Sequence, residues 1–274
     1  MAIIVFALLG ALLSLLLAFA AALLLHHIPN PAKPAPIDVA IQGGAALLGF
    51  GLATWVVGHI ALHLDARELR WRTGGVRALN GFGGGLLLGT VAVGTAMLLA
   101  VPIGGAGWSP DAGSFAQYLS RVGATLGLLA PAALSEEVIF RGLPLVLLAA
   151  AFGRRGAIVA MALLFGLAHA ANPGFTGLAF GNIALAGVLL GVAFFAPGGI
   201  WTAFGVHLGW NGTLAALDAP VSGLPFSIPM LDYHSGSPAW LTGGGFGPEG
   251  GLLATCVLTI AIFVAARWAR EKQS

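Results

Sequence analysis

Three ionisable residues lie close together in an apolar run of the chain, where each of them is costly to bury. Glu136, Glu137 and Arg141 occur in segment 130–150, which otherwise consists mainly of Leu, Ala, Val, Ile, Phe, Gly and Pro. A charged residue at the centre of a membrane helix costs about 2.5–3.5 kcal/mol on insertion. Glu137 and Arg141 are spaced i,i+4 with the acid first, so they can pair on one helix face.

Glu136 gains no such partner on its own helix, because it points about 100° away from Glu137. A carboxyl without an ion-pair partner remains free to take up and return a proton, as a general acid or base must. The spacing therefore makes Glu136 a candidate catalytic residue, with Glu137 and Arg141 in support. A packing network of all three residues between helices is the alternative.

Two further pairs of residues, each with at least one polar member, occur on later apolar runs. Phe165 and His169 are spaced i,i+4, and so are His207 and Asn211. Interhelical hydrogen bonding would explain each pair taken alone. Together with Glu136, however, two imidazoles and an amide on three separate runs can supply a base, a water-positioning group and oxyanion donors. Three glycines beside the second pair favour close helix approach: Gly205, Gly209 and Gly212.

The composition requires a membrane protein. Of 274 residues, 58% are apolar and only 8% are charged, whereas a soluble domain carries about 25% charged residues. The formal net charge is only +2, so nucleic-acid binding has no support.

The apolar runs predict an all-α polytopic bundle of about eight transmembrane helices, which forms one domain over residues 1–274 with a motif-bearing core at about 118–217. The predicted spans are 2–25, 40–63, 81–102, 118–151, 156–171, 177–196, 199–217 and 250–267. The fourth run would reach about 50 Å as one straight helix. Pro131 and the Gly142-Leu143-Pro144 group are predicted to kink or break it.

The placement of basic residues predicts the orientation. Eight spans with a cytoplasmic N-terminus put nine basic residues on the cytoplasmic side, as the positive-inside rule requires: Arg67, Arg70, Arg72, Arg77, Arg154, Arg155, Arg267, Arg270 and Lys272. Lys33 and Arg121 stay on the opposite side. We therefore expect an integral protein of the cytoplasmic (inner) membrane with both termini in the cytoplasm. The Gly-rich stretch 241–251 is predicted to be a flexible loop before the last span.

The three motifs together resemble a known family. "EEVIFR", "FGLAH" and "HLGWN" are similar to the Glu-Glu-x-x-x-Arg, Phe-x-x-x-His and His-x-x-x-Asn motifs of the CAAX-processing and bacteriocin-processing (CPBP, or Abi) intramembrane proteases. They occur in the right order on three spans. The resemblance covers roughly residues 118–217.

The resemblance implies a role for each motif residue. Glu136 would activate the attacking water with help from His169, while His207 and Asn211 would form the oxyanion hole. Glu137 and Arg141 would hold the geometry. The reaction would be hydrolysis of a peptide bond in a membrane-associated protein or peptide, with no acyl-enzyme and no cofactor.

A zinc-dependent version of the protease is the alternative on cofactors. Glu136, His169 and His207 offer one oxygen and two nitrogens, a donor set found at catalytic zinc sites. The chain has no His-Glu-x-x-His element, and a ligating Glu136 would leave only Glu137 as a base. The metal-free mechanism is therefore expected.

Two other functions share parts of this pattern. A non-catalytic immunity or assembly factor of the same fold would have no need for the complete polar set. A proton-coupled carrier would also bury Glu and His, but paired broken helices in two matching halves are expected there. Only the fourth span offers a candidate break, so a protease is the better interpretation.

Overall fold

The computed structural model describes residues 1–27 and 36–271. Within them lie eight helices of 17 residues or more, the number that the apolar runs predict. They are α1 (Ala2–Leu24), α2 (Pro36–Ala53, continued by a π-helix over Thr54–Ala61), α3 (Gly75–Gly104), α4 (Phe115–Arg141), α5 (Leu143–Ala168), α6 (Gly177–Phe194), α7 (Ile200–Ala216) and, after a short helix α8 (Ala239–Thr242), α9 (Leu252–Glu271). Lys33 and Lys272, which enter the predicted orientation, lie outside the described residues.

In the described part of the chain, six helical segments are both long enough and apolar enough to cross a membrane. The number is lower than eight for two reasons. Helices α4 and α5 follow each other directly and count as one apolar segment, Phe115–Ala168, and α7 has only 17 residues. The protein is thus an integral membrane protein built as an all-α helix bundle.

The fourth predicted span is broken, at one of its two predicted points. Pro131 lies inside α4, which continues past it; membrane helices tolerate proline because neighbouring groups satisfy the freed carbonyl. The break comes at Gly142, whose ψ of −128° ends α4, and Pro144 then lies in the first turn of α5. A second interruption at Gly153 has φ 76° and ψ 158°, a conformation that glycine adopts without a Cβ clash.

Helix α7 packs directly against the backbone of α3. A methyl group on Gly205 would overlap the carbonyl oxygen of Phe82, and one on Gly209 would overlap that of Leu86. From the other side, a methyl group on Gly89 would overlap the carbonyl oxygen of Val206. The two helices therefore approach as closely as small residues allow, which fixes the position of α7.

This contact predicts the effect of a single methyl group. Gly209→Ala should destabilise the folded protein by about 1–3 kcal/mol, the usual cost of overpacking, and should lower its melting temperature in detergent. Gly127→Ala in α4 is the matched control, because a Cβ there meets nothing within 4 Å. Equal melting temperatures for the two variants would contradict the close α3–α7 contact.

The end of the bundle that carries the ends of α3 and α7 is closed by irregular structure. Strands β1 (Gly107–Pro110) and β2 (Leu231–His234) form an antiparallel ribbon, and Trp108 Nε1 donates to the Leu217 carbonyl at 2.7 Å. Stretch 241–251, predicted to be a flexible loop, is instead mostly buried and contains two 3₁₀ turns. The difference arises because its glycines allow the chain to pack tightly on itself and on 220–224.

Candidate active site

Three helices bring the predicted site residues together. Glu136 lies in the last two turns of α4, His169 is the C-cap of α5, and His207 lies in the middle of α7. The Nε2 atoms of His207 and His169 lie 3.7 and 4.0 Å from Oε2 of Glu136. This oxygen is buried and accepts no hydrogen bond from a described residue. The two imidazoles thus converge on one carboxylate oxygen.

Each imidazole is oriented by a hydrogen bond at its other nitrogen. His169 Nδ1 lies 2.8 Å from the carbonyl oxygen of Phe165, one turn earlier on α5. Since a carbonyl only accepts hydrogen bonds, this Nδ1 carries the proton. His207 Nδ1 lies 2.7 Å from Oε1 of Glu137. Both rings therefore direct Nε2 towards Glu136.

Glu137 and Arg141 form an ion pair beneath this arrangement. The Arg141 Nη1 lies 3.3 Å from Oε1 of Glu137, and Nη2 donates to the Gly187 carbonyl at 3.3 Å. The side chains are only 0% and 1% exposed. The guanidinium also lies over the Phe165 ring, with its carbon 4.3 Å from the ring centroid. The pair expected from i,i+4 spacing is present, and Phe165 packs between it and His169.

The contact between Glu137 and His207 could not be expected from spacing, because 70 residues separate them. Motif order places them on different helices but gives no register between α4 and α7. The structure makes Glu137 a bridge, since its Oε1 faces both Arg141 and His207.

The site opens into a cavity of about 370 Å³. Glu136, with a side chain 32% exposed, lines it together with Asn211. Among the described residues, no hydrogen bond involves the Asn211 side chain, so its amide can donate to a bound group. The rest of the lining is largely apolar and comes from α2, α4, the segment 168–172 and the segment 221–226. This cavity leaves room for a substrate group beside the carboxylate.

A third carboxylate near the site was missed by sequence reasoning. Glu249, 4% exposed, accepts from Trp210 Nε1 at 3.0 Å and from the Ser222 N–H and hydroxyl. Asn182 Nδ2 donates to the Glu249 carbonyl at 2.7 Å. Burial raises the pKa of the Glu249 carboxyl, against the lowering effect of the Ser222 N–H. Its network anchors the segment 221–226 to α7, next to Asn211. The available signal was a lone acid in a Gly-rich stretch.

The three candidate metal ligands lie farther apart than the ligands of a bound zinc ion. Two ligands of a tetrahedral zinc lie about 3.3 Å apart, given bonds of about 2.0–2.1 Å, whereas the distances here are 3.7 and 4.0 Å. No group of three His, Cys, Asp or Glu side chains in the described ranges 1–27 and 36–271 is arranged to hold a metal ion.

The comparison with protein families bears on this same region. Residues 119–213 match the family model described as type II CAAX prenyl endopeptidase Rce1-like. All three motifs lie inside the matched residues, so the predicted resemblance is confirmed for this segment. The match supports a protease of the CAAX type. No curated protein and no solved structure matches the chain.

Proposed function

Because residues 119–213 carry an Rce1-like domain, we propose that the chain is an intramembrane endopeptidase. It hydrolyses a peptide bond of a membrane-associated protein or peptide, with Glu136 as the base that activates water. The observation that carries the proposal is the convergence of two imidazole Nε2 atoms on the Glu136 carboxylate, at the edge of the cavity that Glu136 lines.

The hydrogen bond of His169 supports a water-positioning role for this residue. Since Nδ1 donates to the Phe165 carbonyl, the neutral ring has its lone pair on Nε2. A water molecule between Glu136 and His169 can then donate one hydrogen bond to each group. These two hydrogen bonds orient the water so that a lone pair of its oxygen is directed at the substrate carbonyl.

His207 acts on the other side of the reacting carbon, as a hydrogen-bond donor. With Nδ1 bonded to Glu137, it can donate from Nε2 only as the imidazolium. That state also balances the buried charges. Two carboxylates, Glu136 and Glu137, then face two cations, His207 and Arg141, whereas a neutral His207 would leave one negative charge uncompensated at a costly depth.

The bond changes follow from these positions. The water oxygen attacks the carbonyl carbon as Glu136 takes a proton, and the carbonyl oxygen becomes an oxyanion. His207 Nε2–H and the Asn211 amide stabilise that oxyanion. The C–N bond then breaks, and Glu136 returns its proton to the leaving amine. No acyl-enzyme forms, because the nucleophile is water.

For location we propose the cytoplasmic (inner) membrane, with both termini in the cytoplasm. Two of the described basic residues that support this orientation lie at the same end of the bundle. Arg70 and Arg154 both lie there, against Phe195.

The experiment is a comparison of membrane-protein termini. Cells producing wild-type protein and cells producing Glu136→Gln at equal abundance are compared by mass spectrometry of new N- and C-termini. Termini that occur only with the wild type are the expected result, and they also identify the substrate. Identical termini in both, with an equal phenotype, would mean a non-catalytic factor.

A zinc-dependent protease is the second candidate, favoured by the same convergence of two imidazole Nε2 atoms on a carboxylate. In this candidate His207 would be neutral, with its Nε2 lone pair free to bind the metal. It would require Glu136, His169 and His207 to close by several tenths of an ångström, and Zn²⁺ would polarise the scissile carbonyl. If the metal-free mechanism holds, membranes from wild-type cells should still cleave the substrate after treatment with a strong zinc chelator. Loss of cleavage that returns with added zinc would establish the second candidate.

A further inference from the structure

A second large cavity lies at the end of the bundle where α3 begins and where α6 and α9 end. Its volume is about 650 Å³, and it shares no lining residue with the cavity beside Glu136. Four arginines line it, three from the loop between α2 and α3 and one from the first turns of α3: Arg67, Arg70, Arg72 and Arg77. Phe195 and Trp268 supply aromatic surface. We call this cavity the arginine pocket.

Arg70 forms the frame of the arginine pocket. Its Nε donates to the Phe194 carbonyl at 2.9 Å, and its Nη2 donates to the Phe195 and Ala196 carbonyls at 3.1 and 2.7 Å. It thereby satisfies the carbonyls at the C-terminal end of α6. Burial, and secondly the charge of Arg154, lower the pKa of Arg70. This residue is committed to the fold and leaves the other three arginines to face the cavity.

Positive charge exceeds negative charge around the arginine pocket. Within residues 1–27 and 36–271, no salt bridge within 4.0 Å involves Arg67, Arg72 or Arg77. The loop has two acids, and both are engaged in it: Asp65 accepts from the Arg67 and Glu68 N–H groups, and Glu68 accepts from the Asp65 N–H at 2.7 Å. Hydrogen bonds from those N–H groups, and then the charges of Arg67 and Arg72, lower the pKa of Asp65.

Guanidinium groups held around one cavity repel each other unless an anion lies between them. A phosphate matches them best, because its oxygens accept paired N–H donors from arginine. The surroundings then decide which kind of phosphate. Trp268 lies near the end of α9, a membrane-spanning segment, and such indole rings are typical of the membrane interface. Basic pockets between membrane helices are known to hold anionic lipid headgroups.

We propose that the arginine pocket binds the phosphate headgroup of an anionic phospholipid. Arg67, Arg72 and Arg77 hold the phosphate, and Trp268 lies at the level where headgroup and acyl chains meet. The bound lipid joins the α2–α3 loop to the ends of α6 and α9. It therefore stabilises the packing of this loop against the ends of α6 and α9.

The test measures lipid retention by native mass spectrometry. Wild-type protein is reconstituted in nanodiscs of phosphatidylcholine with phosphatidylglycerol, then released and weighed. Wild type should retain phosphatidylglycerol in preference to phosphatidylcholine. The double variant Arg72→Gln, Arg77→Gln should lose at least about tenfold in that preference, since it removes two of the three charged groups that donate hydrogen bonds to the phosphate. Arg121→Gln, which changes an exposed arginine of α4 outside the arginine pocket, should retain the wild-type preference.

Three results would overturn the assignment. The first is equal retention of the two lipids by wild type, a measurement that needs no variant to fold. The second is a double variant that is helical and monodisperse yet keeps the full preference. The third is release of both bound lipids alike by millimolar inorganic phosphate. That result would mean that the arginine pocket is a site for a free anion.

Discussion

Glu136→Gln is expected to lower kcat for peptide-bond hydrolysis by about 10²–10⁴-fold, the range that a positioned general base contributes. The glutamine has the same shape, so the helix packing around residue 136 should not change. It cannot take a proton from water, however, and its amide group would hydrogen-bond to the histidine Nε2 atoms instead. Purified protein in bicelles, assayed against a substrate peptide found by terminus mapping, gives kcat and KM separately. The loss should fall on kcat, with KM nearly unchanged.

The matched control replaces another acid by its amide. Asp232 lies exposed in β2, outside the cavity that Glu136 lines, and Asp232→Asn should keep the wild-type kcat. If Glu136→Gln retained wild-type kcat while folded, Glu136 would not be the base. A loss of activity together with a loss of folded protein would show instead that the residue is structural.

The second large effect is on stability. Arg141→Ala removes one member of a fully buried ion pair and leaves the Glu137 carboxylate with His207 alone. Truncating one partner of a buried pair costs about 3–5 kcal/mol, mostly because the remaining charge is uncompensated. The variant should also lose the guanidinium contact with the Phe165 ring. We expect a much lower yield of folded protein and a lower melting temperature in detergent.

Arg121→Ala tests whether this loss is specific. Both arginines belong to α4, but Arg121 is exposed, so its truncation should leave yield and melting temperature near wild type. Unchanged stability in Arg141→Ala would mean that the pair makes no net contribution. In that case Glu137 would support the site only through its hydrogen bond with His207.

The helices and the three motifs could be predicted because each depends on local spacing. Apolar runs of membrane length indicate spans, and i,i+4 spacing places Glu137 near Arg141 and Phe165 near His169. Both pairs are in contact in the structure. The glycines around His207 likewise indicated the close helix contact, although not the identity of α3 as the partner.

What could not be predicted depends on register between helices distant in the chain. The hydrogen bond from His207 to Glu137 requires a particular rotation and height of α7 relative to α4, which no local pattern contains. Glu249 was missed for a related reason. Its partners Trp210, Ser222 and Asn182 come from three separate parts of the chain, and its own surroundings consist mostly of glycine. Such a stretch resembles a flexible loop until its tertiary contacts are known.

The backbone contact between α3 and α7 also sets the earliest time at which the site can form during synthesis. α3 ends at Gly104 and α7 begins at Ile200. At a synthesis rate of about 5–20 residues per second, roughly 5–20 seconds pass between the emergence of the two helices from the ribosome. During that time the glycine face of α3 lacks α7, the helix that it packs against in the folded protein. The helix that carries His207 and Asn211 is therefore synthesised after α4, α5 and α6. The site can form only when all four of these helices have entered the bilayer.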